Sequence, residues 1–268
     1  SRLTLTDLTI AGNLGTGIAN TGVTSSVAKI DLCEITGNTA TNGGGVANTG
    51  IAAVMEITRS AIAGNTASMA GGGVFNAGNM TLRASLVTGN HARAGGGIDH
   101  FGGTLEMVNT TLSGNSATDN GGGLYNLGPA TLEHVTFSGN TANGAGGSLF
   151  NDEAPLSIGN SVFGGQAGAD NCVNSAGQLT SLGHNLDHGA TCGFDGPGDL
   201  AADPLLGPLH DNGGPTFTHA LLAGSPAINH ADPVTCPPAD QRGVVRPQGN
   251  GCDSGAYEAI GSQPGVTH

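Results

Sequence analysis

MVNTTLSGNSATDNGGGLYN, residues 107–126, is followed by LEHVTFSGNTANGAGGSLFN, residues 132–151. Laid over each other, the two stretches share an apolar residue (Met107, Leu132) and a second one five places on (Leu112, Phe137). Each then has a Gly-Asn step and a Gly-rich run that closes on Asn126 or Asn151. Working outward, the Gly-Asn step recurs at Gly12, Gly37, Gly64, Gly89, Gly114 and Gly139, with a degenerate copy at Gly165-Gln166; the spacings are 25, 27, 25, 25, 25 and 26. The apolar pair recurs with it as Leu5/Ile10, Ile30/Ile35, Ile57/Ile62, Leu82/Val87 and Ile158/Phe163. The Gly-rich runs read GTGIAN, GGGVAN, GGGVFN, GGGIDH, GGGLYN and GGSLFN. Self-similarity at this period means stacked units that bury their apolar faces against one another.

A helix cannot supply those units, because each Gly of a GGG run costs it roughly 1 kcal/mol. Leucine-rich repeats have a similar period, but they need a Leu scaffold that is missing here. Short strands separated by bends tolerate the glycines. About 25 residues hold three short strands and three bends, one turn of a single-stranded right-handed parallel β-helix. The expected class is therefore all-β, a solenoid with coils stacked about 4.8 Å apart. Residues 1–177 hold seven coils, and 178–268 form a β-helix continuation and cap. Ser1 enters a strand directly, so more chain or another element is expected to cover that end.

The Asn residues fall into two columns, Asn13/Asn38/Asn65/Asn90/Asn115/Asn140 and Asn20/Asn48/Asn76/Asn126/Asn151, with His100 replacing Asn once. An amide has both a donor and an acceptor, and Asn tolerates a left-handed bend. A ladder of amides along the axis satisfies the backbone groups of the bends. That mechanical role is preferred to any chemistry by these side chains.

Composition narrows the partners. Lys plus Arg is 7 against 20 acids, a net charge of −13. Nucleic acid needs clustered cations and is not expected. No run of 18 apolar residues occurs, so no transmembrane helix is signalled. The five Cys are Cys33, Cys172, Cys192, Cys236 and Cys252, and none forms a CxxC pair. The last four lie in Gly/Asn/Asp/Pro-rich loops and read as two disulfides, Cys172–Cys192 and Cys236–Cys252, in an oxidising, extracytoplasmic setting. Cys33 falls at an inward repeat position shared with Ser60, Ser85, Thr110 and Ser161, as a free buried thiol.

The GGG[VIL]xN and apolar-x-Gly-Asn elements resemble the repeats of chlamydial-type polymorphic outer-membrane proteins, with Phe137–Asn140 carrying their FxxN form. Further on come SLGHNL (181–186), DPLLGPLHDNGGPTFTHALLAGSPAIN (203–229), DQRGVVRP (240–247) and CDSGAYE (252–258). These are similar to the choice-of-anchor Q region of secreted bacterial β-helix proteins. The resemblance implies a secreted or cell-surface protein and no catalytic residue set. It also implies a C-terminal anchor, which would be removed or absent in a chain that ends ten residues after Glu258. The ions Asp240, Arg242, Arg246, Asp253 and Glu258 are expected to form salt bridges within the cap.

Chemistry is weakly signalled. No nucleophile elbow, phosphate loop, HExxH or EF-hand loop is present. His184 and His188 have ligand-like spacing, and Asp195, Asp199 and Asp203 could hold calcium, but neither set completes a ligand pattern, so no metal or cofactor is expected. One column stands out. If the Val/Ile/Leu of each Gly-rich strand points inward, the next residue points outward. That column reads Ala19, Ala47, Phe75, Asp99, Tyr125 and Phe150, with Phe101 just after. Phe75, Asp99, Tyr125 and Phe150 are the expected ligand-binding residues, for an extracellular or cell-surface glycan. The plainer alternative is that these rings only stack on one another. The favoured function is a non-enzymatic adhesive or glycan-interacting scaffold. The alternative is a polysaccharide lyase or glycoside hydrolase, with Asp99, His100, His91 and Arg93 as catalytic candidates. Asp119, Asp152 or Glu153 would then be the second carboxylate. Ice binding by the outward row Ala11, Thr36, Ala63, Thr88, Ser113, Ser138 and Gly164 is a further alternative, weakened by the lack of a regular Thr array.

Overall fold

A computed structural model describes residues 1–22, 25–165 and 170–260. Gln166 of the degenerate repeat lies outside the described residues. The described residues hold strands and no α-helix. The chain winds as a parallel β-solenoid whose successive coils pair in register, Arg2–Thr6 on Ser26–Asp31, then on Ala53–Thr58, Asn79–Arg83 and onward.

Each full coil contributes to four sheets, one more than the period suggests. In the coil of Leu82 the pieces are Asn79–Arg83, Leu86–Thr88, His91–Ala92 and Ile98–His100. The first and second sheets each have eight strands, because Gln178–Gly183 and Leu186–Asp187 add a further pass beyond the seven repeats. The third sheet, with His91–Ala92, has five short strands; the fourth, with Ile98–His100, has seven. The third escapes a reading of apolar periodicity because its paired column is alanine throughout, Ala40, Ala67, Ala92, Ala117 and Ala142, of which the middle three are buried.

The core is a set of axial stacks. Ile30, Ile57, Leu82, Met107, Leu132 and Ile158 lie directly over one another and are buried. Phe137 and Phe163 stack at 4.5 Å between ring centroids. Burying each such side chain contributes roughly 1.5–3 kcal/mol. The GGG runs follow from close approach. Gly71 is left-handed, with φ 64°, and a Cβ on Gly72 would lie 2.4 Å from the carbonyl oxygen of Gly96 in the next coil. No side chain fits between backbones that close.

The two Asn columns form ladders. Asn90 is typical: its Nδ2 donates to the Ile62 carbonyl (2.9 Å) and to Asn115 Oδ1 (3.0 Å), while its Oδ1 accepts from the backbone N–H of Asn65 (2.9 Å). In the second column Asn48 Nδ2 donates to Asn76 Oδ1, and Asn76 Nδ2 meets His100 Nδ1 at 3.0 Å. An amide NH2 only donates, so Nδ1 accepts and the His100 proton sits on Nε2, facing the Pro129 carbonyl at 3.2 Å. Where His100 interrupts the column, Asn126 Oδ1 is buried without a partner.

Between the first and second sheets each coil turns through one left-handed residue: Asp7, Leu32, Arg59, Ala84, Asn109, His134, Asn160 and His184, with φ of 48° to 56°. Asn109, His134, Asn160 and His184 are also where the C-terminal chain is fastened. Cys192 and Phe194 pack against the far end of the core, held by the Cys172–Cys192 disulfide. Residues 205–260 then run back along the outer face of the second sheet, carrying an antiparallel pair, Leu206–His210 with Thr218–Leu221. They bond Asn109 (to Ala239 O, 2.8 Å), Thr111 (to Gln241 Oε1, 2.7 Å), His134 (from Arg246 Nη1, 3.2 Å), Thr136 (from Ala256 N, 2.9 Å), Asn160 (from Asp232 N, 2.8 Å) and His184 (to His230 O, 2.5 Å).

The Cys236–Cys252 disulfide and the buried ion pairs Asp240–Arg242 and Arg246–Glu258 therefore stiffen this fold-back segment. They lie along the flank, not across the open end of the core. Cys33 is free and buried, its Sγ 3.3 Å from the Asp31 carbonyl oxygen.

Candidate functional site

Parallel register places the outward column of the fourth sheet in one row: Ala19, Ala47, Phe75, Asp99, Tyr125, Phe150 and Val173. The aromatic members pair off. Phe75 stacks with Phe101 at 6.0 Å and Tyr125 with Phe150 at 5.3 Å, both near parallel. Asp99 stands in the row between Phe75 and Tyr125, with Phe101 in its own coil, and Phe150 at the next step is itself buried. Asp99 does not present its carboxylate openly to solvent, as its place in an outward column suggested. Only 3% of Asp99 is exposed, and its Oδ1 is buried with no hydrogen-bond partner. The reason is length, since Phe75 and Tyr125 project beyond it on either side. Burial pushes its carboxyl up to about 7.

Tyr125 Oη donates to Asp152 Oδ2 at 3.1 Å. Burial first, then Asp152, raises the phenol to about 12. Arg93 Nε donates to Asp119 Oδ2 at 2.7 Å, with both side chains largely exposed. Met69, Arg93, Asp119, Asn120 and Tyr125 wall a groove of about 270 Å3 whose lining includes Ala70 and Ala94. Asp99 lies beside it: a Cβ built on Gly95, the residue after Ala94, would be 2.8 Å from the Asp99 Cβ.

Of the catalytic candidates, Arg93 lines this groove, whereas Asp99 is buried and does not. His91 lies on the third sheet and meets Ser116 Oγ at 2.9 Å. His100 points to the opposite side of its strand from Asp99 and is wholly buried as a rung of the ladder. Strand alternation places it there, away from the outward row. Burial lowers its pKa. Met69 and Asn120 were not singled out from sequence; they precede their Gly runs, and only the third sheet's geometry brings them to the groove.

Other features bear on function less directly. A larger hollow, about 670 Å3, lies where the second sheet is uncovered between Leu8, Leu32, Leu86 and Phe217. None of its lining residues carries an unpartnered buried polar atom to orient a ligand. Ser113 Oγ lies 2.9 Å from His219 Nε2, and His219 Nδ1 lies 2.7 Å from the Gly207 carbonyl oxygen. The carbonyl can only accept, so Nδ1 carries the proton and Nε2 accepts from the Ser113 hydroxyl. Both side chains are sealed under the fold-back segment, where the relay fastens that segment to the coil. Asp199 accepts from the N–H groups of Asn185 and Gly196 and from Ser181 Oγ, which makes it the centre of a turn. His184 and His188 diverge to the His230 carbonyl and to Asp203. Among the described residues no group of three or more His, Cys, Asp or Glu is placed to hold a metal ion.

The coil geometry defines a parallel β-solenoid. Two stretches of it, residues 109–127 and 134–152, match the Chlamydia polymorphic membrane protein repeat. They are the coils that carry Ser113, Tyr125 and Phe150. No curated protein and no solved structure matches the chain. No helix among the described residues is long and apolar enough to cross a membrane.

Proposed function

We propose that this chain is a secreted or cell-surface β-solenoid that binds glycan non-covalently on its aromatic flank. The observation that carries the reading is the row of ring pairs, Phe75 with Phe101 and Tyr125 with the buried Phe150, whose Tyr125 also lines the groove of Arg93 and Asp119. Stacked coils repeat about every 4.8 Å, a spacing that suits an extended sugar chain, and ring faces supply apolar contact. The polymorphic membrane protein-like repeats and the two disulfides support the extracytoplasmic setting. The net charge of −13 disfavours polyanionic glycans. A glycan array with wild type and Tyr125→Ala tests the reading. Binding that is lost in the variant, at unchanged melting temperature, supports it; no glycan bound by wild type overturns it.

A glycoside hydrolase is the second reading. It is favoured by Asp99, whose carboxyl keeps its proton near neutrality as a general acid must. Release of new reducing ends from a bound glycan, abolished by Asp99→Asn, would replace the scaffold reading with this one. Ice binding is not proposed. The fold-back segment covers the second-sheet row at Ser113, and Leu206 lies over Gly164, so no continuous flat face is left.

A further inference from the structure

We infer that the uncovered stretch of the second sheet is a docking surface for a basic segment of another protein, one that carries apolar side chains flanked by Lys or Arg. This face is distinct from the aromatic flank, and its role does not depend on the glycan reading.

The surface continues one that the chain already covers. The outward column of the second sheet runs Thr9, Glu34, Ala61, Leu86, Thr111 and Thr136 in register. From Leu86 onward the column is buried, and the returning chain bonds Thr111 and Thr136. At Ala61, Glu34 and Thr9 the cover stops and the hollow of about 670 Å3 begins. Leu8, Leu32 and Phe217 stand around it at 45%, 40% and 49% exposure. Single exposed apolar residues are ordinary, whereas three large ones on one hollow mark an interaction site. Phe217 is held in place there. Its carbonyl and the Thr216 hydroxyl both accept from the Nε2 of Gln241, a buried side chain whose Oε1 accepts from Thr111. The ring is thus presented by a fixed backbone, and a partner need not order that loop.

The charges name the partner. No unpartnered buried polar atom lines the hollow to orient a small molecule, so recognition falls to the apolar walls and the charged rim. Asp7 and Glu34 on that rim are exposed, and among the described residues neither carboxylate has a salt-bridge partner. Arg59, the cation of the lining, is already taken by Asp31. A second copy of this chain is a poor occupant. Of its seven Lys and Arg, six are held in ion pairs: Lys29 with Glu56, Arg59 with Asp31, Arg83 with Glu106, Arg93 with Asp119, Arg242 with Asp240 and Arg246 with Glu258. Only Arg2 is left to offer, and two molecules at −13 repel each other. A basic, apolar segment satisfies rim and walls together. It would lie across the first coils as the returning chain lies across the later ones.

The experiment uses the whole chain and three labelled synthetic peptides of equal length: alternating Lys and Leu, alternating Glu and Leu, and alternating Lys and Ser. Fluorescence anisotropy at about 0.15 M salt, which screens the general field beyond about 8 Å, is read for wild type, Phe217→Ser, Glu34→Lys and Asp195→Lys. Asp195 is exposed and lies away from the hollow, so its reversal alters the net charge as much as Glu34→Lys does. The Lys/Leu peptide should bind wild type about tenfold or more tighter than the other two. Phe217→Ser should weaken it about tenfold and Glu34→Lys about fivefold, while Asp195→Lys leaves it unchanged. Equal binding of the Lys/Leu and Lys/Ser peptides, or equal losses in Glu34→Lys and Asp195→Lys, would mean attraction by net charge alone and overturns the inference. So does the absence of binding to wild type. Sedimentation of the chain without peptide tests the competing occupant: a concentration-dependent dimer that Phe217→Ser dissolves puts a second copy on the hollow and also overturns the inference. Melting curves establish that the variants are folded, and Leu8→Ser takes the place of Phe217→Ser if that variant is not.

Discussion

Replacing Asn90 with Ala measures the worth of one rung of the first ladder. The change removes an amide that is fully buried. The backbone N–H of Asn65 loses Asn90 Oδ1, and the Ile62 carbonyl loses a donor. Asn115 Oδ1 keeps its bond from the Asn90 backbone N–H, and Asn65 Nδ2 keeps the Ile35 carbonyl. Two backbone groups are therefore left short in a water-free bend, at about 1–3 kcal/mol for each orphaned group. The small cavity adds to this, so the expected loss is about 3 kcal/mol. Asn13→Ala is the internal control. That side chain is exposed and donates only to Asn38 Oδ1, which keeps the Asn13 backbone N–H. Its loss should cost about 0.5 kcal/mol. Urea unfolding followed by far-UV circular dichroism, with equal slopes in all variants, gives both numbers. If Asn90→Ala costs no more than Asn13→Ala, the amides fill space in the bends without satisfying the backbone, and the explanation of the ladder is wrong.

Three further outcomes are expected. His134 is pushed down to about 3 by burial and by the Arg246 guanidinium, so the folded state resists its protonation. Stability should be full above the ordinary histidine pKa and fall progressively between about pH 6.5 and 3; His134→Gln should flatten this part of a stability-versus-pH curve, and an unchanged curve would contradict the assignment. Asp99 has the opposite sign. Its raised pKa means stability is lost as pH rises between about 4 and 7. Asp99→Asn should therefore raise the melting temperature at pH 8, by on the order of 2 kcal/mol in stability, and a lower melting temperature would refute the desolvation argument. Thiol titration of the denatured, unreduced protein should find Cys33 alone, and reducing the disulfides should cost roughly 3 kcal/mol for each loop of this size.

The coils were legible because each repeated residue does the same job in every turn. An apolar pair at fixed offsets, a left-handed Gly and an Asn rung survive as columns in the sequence. The two disulfides were legible for a similar reason, since each closes a loop of limited length. The third sheet was not, because Ala67, Ala92 and Ala117 leave no hydrophobic trace. Nor was the path of residues 205–260. Polar residues, prolines and buried ions suit a lid over an open end and a band along a flank equally well. At the site, alternation placed Asp99 and Tyr125 in one row, but only side-chain length shows that Asp99 is recessed and unpartnered. His100 was grouped with it by proximity in sequence, although alternation turns it to the other side of the strand.

The fastening of the fold-back segment gives this solenoid a built-in gauge. Asn109, His134, Asn160 and His184 are corner residues of four successive coils, and each meets a different residue of the returning chain. Inserting or deleting one coil among these four would shift every later corner by one step against a partner that does not repeat. Asp7, Leu32, Arg59 and Ala84 occupy the same corner in the first four coils and meet none of these partners. Duplications and losses of whole turns should therefore be tolerated only on the side of the molecule before Asn109. Relatives built on this plan should vary in length there, with an unvarying count of coils under the returning chain.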